Sequence, residues 1–246
     1  MSALQGRRVV VIGGSSGVGL AVAAAAAAQG AEVLIASRSA ERVDAARARL
    51  GERVRGAVVD ARDEDALRGF FAAAAPFDHV VATVTPGSVT LRYAGFAEQA
   101  TADAEALFHN KFWAQYRVAK LALPHLAETG SITLFSSNAS RRPLARMAVH
   151  AAVNAAIEGL ARGVAIDIAP RRINVVAPAR MVTGTFDEYP EQERQRMYEE
   201  WGRKMLVGRI GYADDAAAAA LFLMQTGYTT GNVVYVDGGL FLSTTA

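Results

Sequence analysis

The segment Gly13-Gly14-Ser15-Ser16-Gly17-Val18-Gly19 follows an apolar run at residues 9–12 and opens a helix-length segment, 18–29. Glycines there allow a tight turn and a close approach of backbone to ligand. The start of the helix adds unpaired N–H groups and the positive end of its dipole. Together these would seat the pyrophosphate of a dinucleotide. The plainer reading is a merely tight connection, which the strand–turn–helix context disfavours. A second apolar run, 32–36, ends at Ser37 and Arg38. A unit built for an unphosphorylated ribose carries an acid at that point. A carboxylate would repel a 2′-phosphate, whereas a guanidinium pairs with it through charge-assisted hydrogen bonds. Arg38 and the missing acid predict NADP(H). The competing reading is a solvated loop arginine.

The elements that must position these residues follow from the hydrophobic pattern. Strand-length apolar runs lie at 9–12, 32–36, 54–59, 79–83, 131–135, 173–176 and 233–236. Many are apolar throughout, as strands covered on both faces are. Helix-length segments at 18–29, 40–50, 64–75, 101–126, 148–169 and 214–225 alternate with them. This rhythm predicts an α/β fold, a Rossmann-type doubly wound parallel sheet of about seven strands. The alanine run at 23–28 reads as a strong helix former that lets its helix sit close to the sheet. Residues 180–211 are expected to form a helical lid over a pocket, because Tyr189, Met197, Tyr198, Trp201 and Met205 give that stretch apolar material to bury. No linker divides the chain, so one domain over 1–246 is expected.

Composition narrows the function classes. Apolar residues make up 52% and charged residues 20%, with a net charge of only +2 and no block of like charges. A nucleic-acid footprint is not expected. The absence of cysteine removes disulfides, thiolate catalysis and cysteine metal sites, and no metal is expected. No membrane span is visible, so a cytoplasmic enzyme or binding protein is the expectation.

The turn spacing is Gly-x3-Gly-x-Gly, and further motifs follow in order along the chain. Asp60 closes the third strand, Asn110 lies in the fourth helix and Ser137 ends the fifth strand. Then come Asn174-Val-Val-Ala-Pro-Ala179, Thr183 and Thr230-Gly231-Asn232 through Asp237-Gly238-Gly239. In this the chain resembles the short-chain dehydrogenase/reductase family over nearly its whole length. It departs at Ile12 (Thr in the family), at Ala82-Thr83-Val84-Thr85 (Asn-Asn-Ala-Gly) and at Ala179 (Gly). The resemblance implies cofactor contacts at Gly13, Ser15, Ser16, Gly17, Val18, Gly19, Ser37, Arg38, Asp60, Ala61, Ala82, Pro178, Met181 and Thr183. Within that set, Asp60 would bind the adenine, and Met181 and Thr183 the nicotinamide carboxamide. It also implies a homotetramer or homodimer packed through the fourth and fifth helices and the C-terminal strand, with Ala151, Ala152, Ala155 and Ala156 allowing close contact.

The same resemblance exposes a departure in the chemistry. The family's Tyr-x3-Lys follows its serine by thirteen positions, and from Ser137 that register falls on His150 and Asn154. Residues four apart share a helix face, so both side chains would still meet at one place. His150 could act as the acid/base, since an unperturbed imidazole titrates near pH ~6.5. Asn154 would contact the ribose, Ser137 would polarise the substrate oxygen, and Asn110 would hold the helix and a water. Lys111 should face elsewhere on its helix. One of Arg141, Arg142 and Arg146 entering the pocket would favour an anionic substrate; a solvated loop is the competing reading. The expectation is an NADP(H)-dependent oxidoreductase acting on a carbonyl or alcohol, with a small molecule as substrate. The alternative is a catalytically silent NADP(H)-binding or interaction protein.

Overall fold

The protein, seen here as a computed structural model, is described over residues 4–85, 93–187 and 189–243. The run Arg8–Ile12 forms β1, buried from Val9 onward because both faces of the sheet are covered. Then follow α1 (Gly17–Ala28), β2 (Glu32–Ser37), α2 (Ala40–Leu50), β3 (Val54–Val58), α3 (Glu64–Ala74) and β4 (Phe77–Ala82). The second half runs α4 (Thr101–Leu107), α5 (Ala114–Ala122), β5 (Leu126–Phe135), α6 (Ala148–Asp167) and β6 (Arg172–Pro178). It ends with β7 (Met181–Val182), α7 (Glu191–Lys204), β8 (Gly211–Tyr212), α8 (Ala213–Gln225) and β9 (Val233–Val236).

The seven-stranded sheet has the order β3-β2-β1-β4-β5-β6-β9, with every pair parallel. The chain winds outward from β1 to β3, then returns to β4 beside β1. Strand order reverses there, and the ends of β1 and β4 open a crevice of the kind in which such sheets bind ligands. The core lies in two layers, one on each face. Phe71, Phe77, Leu134 and Ile157 belong to one; Ile35, Val176 and Leu223 to the other. Ala23 and Ala26, from the alanine run, are fully buried where α1 meets the sheet and α8.

The structure corrects the expected helix over 101–126 and adds detail to the stretch 180–211. The single helix over 101–126 is instead α4, a π-helical turn (Phe108–Trp113), α5 and a 3-10 turn (Leu123–His125). Pro124 has no N–H to continue the helix, so the chain turns and β5 begins at Leu126, not at 131. The stretch 180–211 is more ordered than a bare lid. β7 and β8 pair in parallel and bracket a short 3-10 turn and α7. Glu188, within it, lies outside the described residues.

Candidate active site

The glycine turn begins with Gly13 at φ +88° and reaches α1 at Gly17, φ +51°. A Cβ on Gly13 would sit 2.6 Å from Thr83 Oγ1. Thr83 is one of the residues that depart from the family pattern after β4. Its hydroxyl donates to the Ile12 carbonyl at 3.1 Å, a local bond tying the ends of β1 and β4 together. The start of α1 differs from those of its neighbours. Ser39 caps α2 by accepting from Arg42 N at 3.3 Å, and Asp63 caps α3 by accepting from Ala66 N at 3.0 Å. Ser16 makes no side-chain cap bond, and the first turn of α1 carries no acid. Its N–H groups are thus open to an anion.

Beside the turn, Arg38 is exposed at the end of β2. Asp60 accepts from Arg62 Nε at 3.0 Å and from Arg62 Nη2 at 2.6 Å. That guanidinium, chiefly by hydrogen bonding, holds the Asp60 carboxyl below its ordinary pKa, and the charge of Arg38 adds to the effect. Ala61 and Ala82 are buried beneath.

At the other end of the crevice, His150, Asn154 and Glu158 stand at four-residue intervals along α6 and are all buried. Glu158 accepts from Ser136 Oγ at 2.9 Å, Ser140 Oγ at 2.6 Å and Tyr235 Oη at 3.0 Å. It therefore locks α6 to the loop after β5 and to β9. Asn154 donates from Nδ2 to the His150 carbonyl at 2.7 Å. Its Oδ1 accepts from Lys111 Nζ at 2.7 Å, and the same ammonium lies 3.4 Å from the Ser136 carbonyl.

Lys111 was expected to face elsewhere and Asn110 to face the site; the structure reverses them. Leu107, Lys111 and Gln115, four apart, share the inward face through the π-helical turn. Gln115 fixes that face to the end of β5, donating to the Phe135 carbonyl and accepting from Phe135 N, both at 2.8 Å. Asn110, one residue and about 100° away, turns outward and accepts from Arg62 Nη1 at 3.2 Å. The available signal was a lysine on the apolar side of an amphipathic helix.

Burial pushes the Lys111 ammonium down to about 8. Burial, and secondarily the Lys111 charge, pushes His150 below its ordinary value, so the imidazole is neutral at neutral pH. The buried His79 offers a control. Its Nδ1 is paired with Ser131 Oγ at 2.9 Å, and burial lowers its pKa to about 4. His150 Nε2, by contrast, is buried without any described hydrogen-bond partner. Tyr93 stacks on its ring with centroids 4.7 Å apart.

These groups face a cavity of about 290 Å³ lined by Val18 and Thr183 on the glycine-turn side and by Lys111, Ser137, His150 and Asn154 on the α6 side. Pro178 and Met181 line it too, with Phe186, Trp201 and Met205 from the lid. Of the three candidate loop arginines, Arg142 alone lines it. Arg141 stacks over Tyr235 and Phe241, and Arg146 pairs with Glu98 at 3.8 Å. Ser137 Oγ accepts from Ala139 N at 3.3 Å.

A family model described as enoyl-(acyl carrier protein) reductase matches residues 12–241, nearly the whole chain. This chain belongs to the short-chain dehydrogenase/reductase family. It is an oxidoreductase of that family. A short-chain dehydrogenase/reductase of Stachybotrys chlorohalonatus is 30% identical over 98% of this chain and 100% of its own length. Among solved structures, a reductase/Diels-Alderase from Malbranchea aurantiaca superposes with a TM-score of 0.88 at 27% identity, covering 98% of each chain. A small-chain dehydrogenase in complex with NADPH superposes at 0.79 with 31% identity, covering 97% of this chain and 100% of its own. Against that family background, two features of the site stand out: an imidazole nitrogen with no partner among the described residues, and an ammonium that reaches α6 from another helix. Among the described residues no helix is long and apolar enough to cross a membrane, and no cluster suited to a metal ion occurs.

Proposed function

We propose that the protein is an NADP(H)-dependent oxidoreductase that interconverts a carbonyl and an alcohol in the cavity under α7. The uncapped, acid-free start of α1 and the left-handed Gly13 and Gly17 fit a dinucleotide pyrophosphate. Gly13, Ser15, Ser16, Gly17, Val18 and Gly19 would hold it. Ser37 and Arg38 would meet a 2′-phosphate, and Asp60, Ala61 and Ala82 the adenosine. Pro178, Met181 and Thr183 would border the nicotinamide. The phosphorylated cofactor is favoured because Arg38 stands where an acid would otherwise be, and because Arg62 already offsets the Asp60 charge. The NADPH complex of the 31%-identical neighbour supports the same choice. When bound, the reduced nicotinamide supplies a hydride to the carbonyl carbon.

The chain's own residues then have to manage the oxygen. The observation that carries this reading is His150 Nε2, buried on the cavity wall without a described partner. Buried polar atoms are nearly always paired, so an orphan on a residue of the cavity wall calls for a ligand atom. With its proton on Nε2, neutral His150 would donate to the substrate oxygen, and the Ser137 hydroxyl would give a second bond. The Lys111 ammonium, protonated below about pH 8, would offset the developing negative charge and hold the proton the oxygen finally takes. Asn154 positions that ammonium. On this reading Lys111 supplies from α4–α5 the charge that the family pattern places four residues beyond the acid/base group.

The test is NADPH consumption with a panel of aldehydes and ketones, run beside a binding titration. His150→Ala should abolish turnover. Lys111→Met should lower kcat/KM by about 100-fold with little change in NADPH affinity. NADPH binding without turnover of any carbonyl, unchanged by His150→Ala, would instead establish a silent dinucleotide-binding protein.

A further inference from the structure

Among the described residues, every charged side chain on the cavity wall is a cation: Lys111, Arg142, Arg180 and Lys204 line it, and no described Asp or Glu does. Elsewhere, arginines such as Arg62, Arg194 and Arg209 have carboxylate partners. Among the described residues, none of the four cavity cations lies within ion-pair distance of a carboxylate, although the charge of Glu200 reaches Arg180. Like charges gathered in a small, largely apolar cavity raise the local concentration of anions. Among them, Arg180 is held by an aromatic contact. It is half-buried, and its guanidinium lies over the Trp201 ring at 4.2 Å from the centroid. Stacking uses the face of a guanidinium and leaves its edge donors directed outward, the geometry that takes a carboxylate in two parallel hydrogen bonds. Arg142 is held by a hydrogen bond from Nη1 to the Leu240 carbonyl.

The distance from this cluster to the chemistry is bridged by Tyr93. Its ring stacks on His150 at 4.7 Å and an interplanar angle of 25°. Its hydroxyl also feels the charge of Arg180. The cavity wall there includes the flat rings of Tyr93, Trp201 and Phe186, the last two with centroids 5.1 Å apart. A volume of about 290 Å³ leaves room for a small molecule only.

We propose that the substrate is itself an anion: a small planar carbonyl compound whose carboxylate is held at the lid end by Arg180, with Lys204 and Arg142, while its carbonyl oxygen meets His150 Nε2. This rests on the reading of the cavity as the substrate site. It adds a substrate class and a specificity-determining residue. Arg180 and Lys204 come from the lid side, whereas the glycine turn meets the cavity through Val18. They are thus assigned to substrate and not to the cofactor's phosphates.

The probes are para-formylbenzoate, its methyl ester and benzaldehyde, each with NADPH. The expected result is a kcat/KM preference for the acid over the ester. Arg180→Met should shrink that ratio by about 10- to 100-fold, and Arg180→Lys should shrink it less, because an ammonium keeps the charge but not the paired donors. A binding readout separates this proposal from the wider one. Benzoate should quench Trp201 fluorescence in a Trp113→Phe background, and Arg180→Met should weaken that titration. Quenching without any turnover would support the anion site while sinking the oxidoreductase reading. The proposal is overturned if the ester is the better substrate. It is also overturned if Arg180→Met weakens NADPH binding by the same factor, which would assign the cations to the cofactor. Inorganic phosphate competing with benzoate for the site as strongly as para-formylbenzoate does would overturn the choice of carboxylate.

Discussion

The two ends of the crevice do their work with different parts of the chain. At the glycine turn the binding groups are backbone, and the side chains matter mainly by being absent. Gly13 and Gly17 adopt left-handed φ, and a Cβ on Gly13 would strike Thr83. At α6 the working groups are side chains, and the same point in space is supplied from two helices: His150 and Asn154 from α6, Lys111 from the π-helical turn before α5. A backbone site tolerates few sequences. A side-chain site tolerates an exchange of donors, provided charge and hydrogen bonds end at the same place.

The sharpest way to break that comparison is to put a second ammonium where Asn154 stands. Asn154 Oδ1 is 2.7 Å from Lys111 Nζ. Two unit charges at about 4 Å repel by about 4 kcal/mol at an effective dielectric of about 20. Asn154→Lys should therefore lose stability of that order and most activity, and Lys111→Asn in the same chain should restore the fold. Denaturant midpoints of the three proteins decide it. A single variant as stable as the wild type would falsify the view that one ammonium fills this position. The glycine end is tested next. Gly13→Ala places a methyl 2.6 Å from Thr83 Oγ1 in a left-handed conformation. It should cost about 1–3 kcal/mol and weaken NADPH binding, whereas Gly51→Ala, with open space around it and a similar φ of +83°, should leave NADPH binding alone.

The same contrast explains what could be read from the sequence. Fully apolar strands and the glycine turn announced the sheet and its crevice, because burial on both faces and positive φ restrict residue types directly. The face presented by Lys111 was legible only through its place on the apolar side of its helix. Helix phase through 108–113 depends on a π-helical turn, and adjacent residues differ by about 100°, so a small change of phase exchanges Asn110 for Lys111. The end of the long fourth helix was missed for a local reason, Pro124. The cationic wall was out of reach as well. Arg142, Arg180 and Lys204 are distant in sequence and meet only when the lid folds over the crevice.

Lys111 also has a consequence for stability that the glycine end lacks. Its ordinary value is 10.5 and burial lowers it to about 8. Between those values the unfolded chain binds a proton that the folded chain does not, so folding stability rises with pH across that window. The gain from this group is at most about 3 kcal/mol. The difference in unfolding free energy between wild type and Lys111→Met, measured at pH values below and above the window, should change in that sense. A difference that stays constant across the window would mean that the ammonium is not held in a desolvated place.

The smallest expected effect returns to the cofactor end, at the one side chain there that is asked to discriminate. Arg38 is exposed, and its charge reaches Asp60, which Arg62 already neutralises. Arg38→Asp removes a charge-assisted partner for a 2′-phosphate and installs a carboxylate suited to a ribose hydroxyl. Solvent screening keeps such a change modest, so the ratio of NADPH to NADH affinity should fall about tenfold, with the effect shrinking as salt is added. Arg62→Ala should act in the same direction but less, because it leaves Asp60 uncompensated near the phosphate. If both variants leave the ratio unchanged while Gly13→Ala abolishes binding of both cofactors, discrimination does not reside at this end. The glycine end would then be backbone recognition alone.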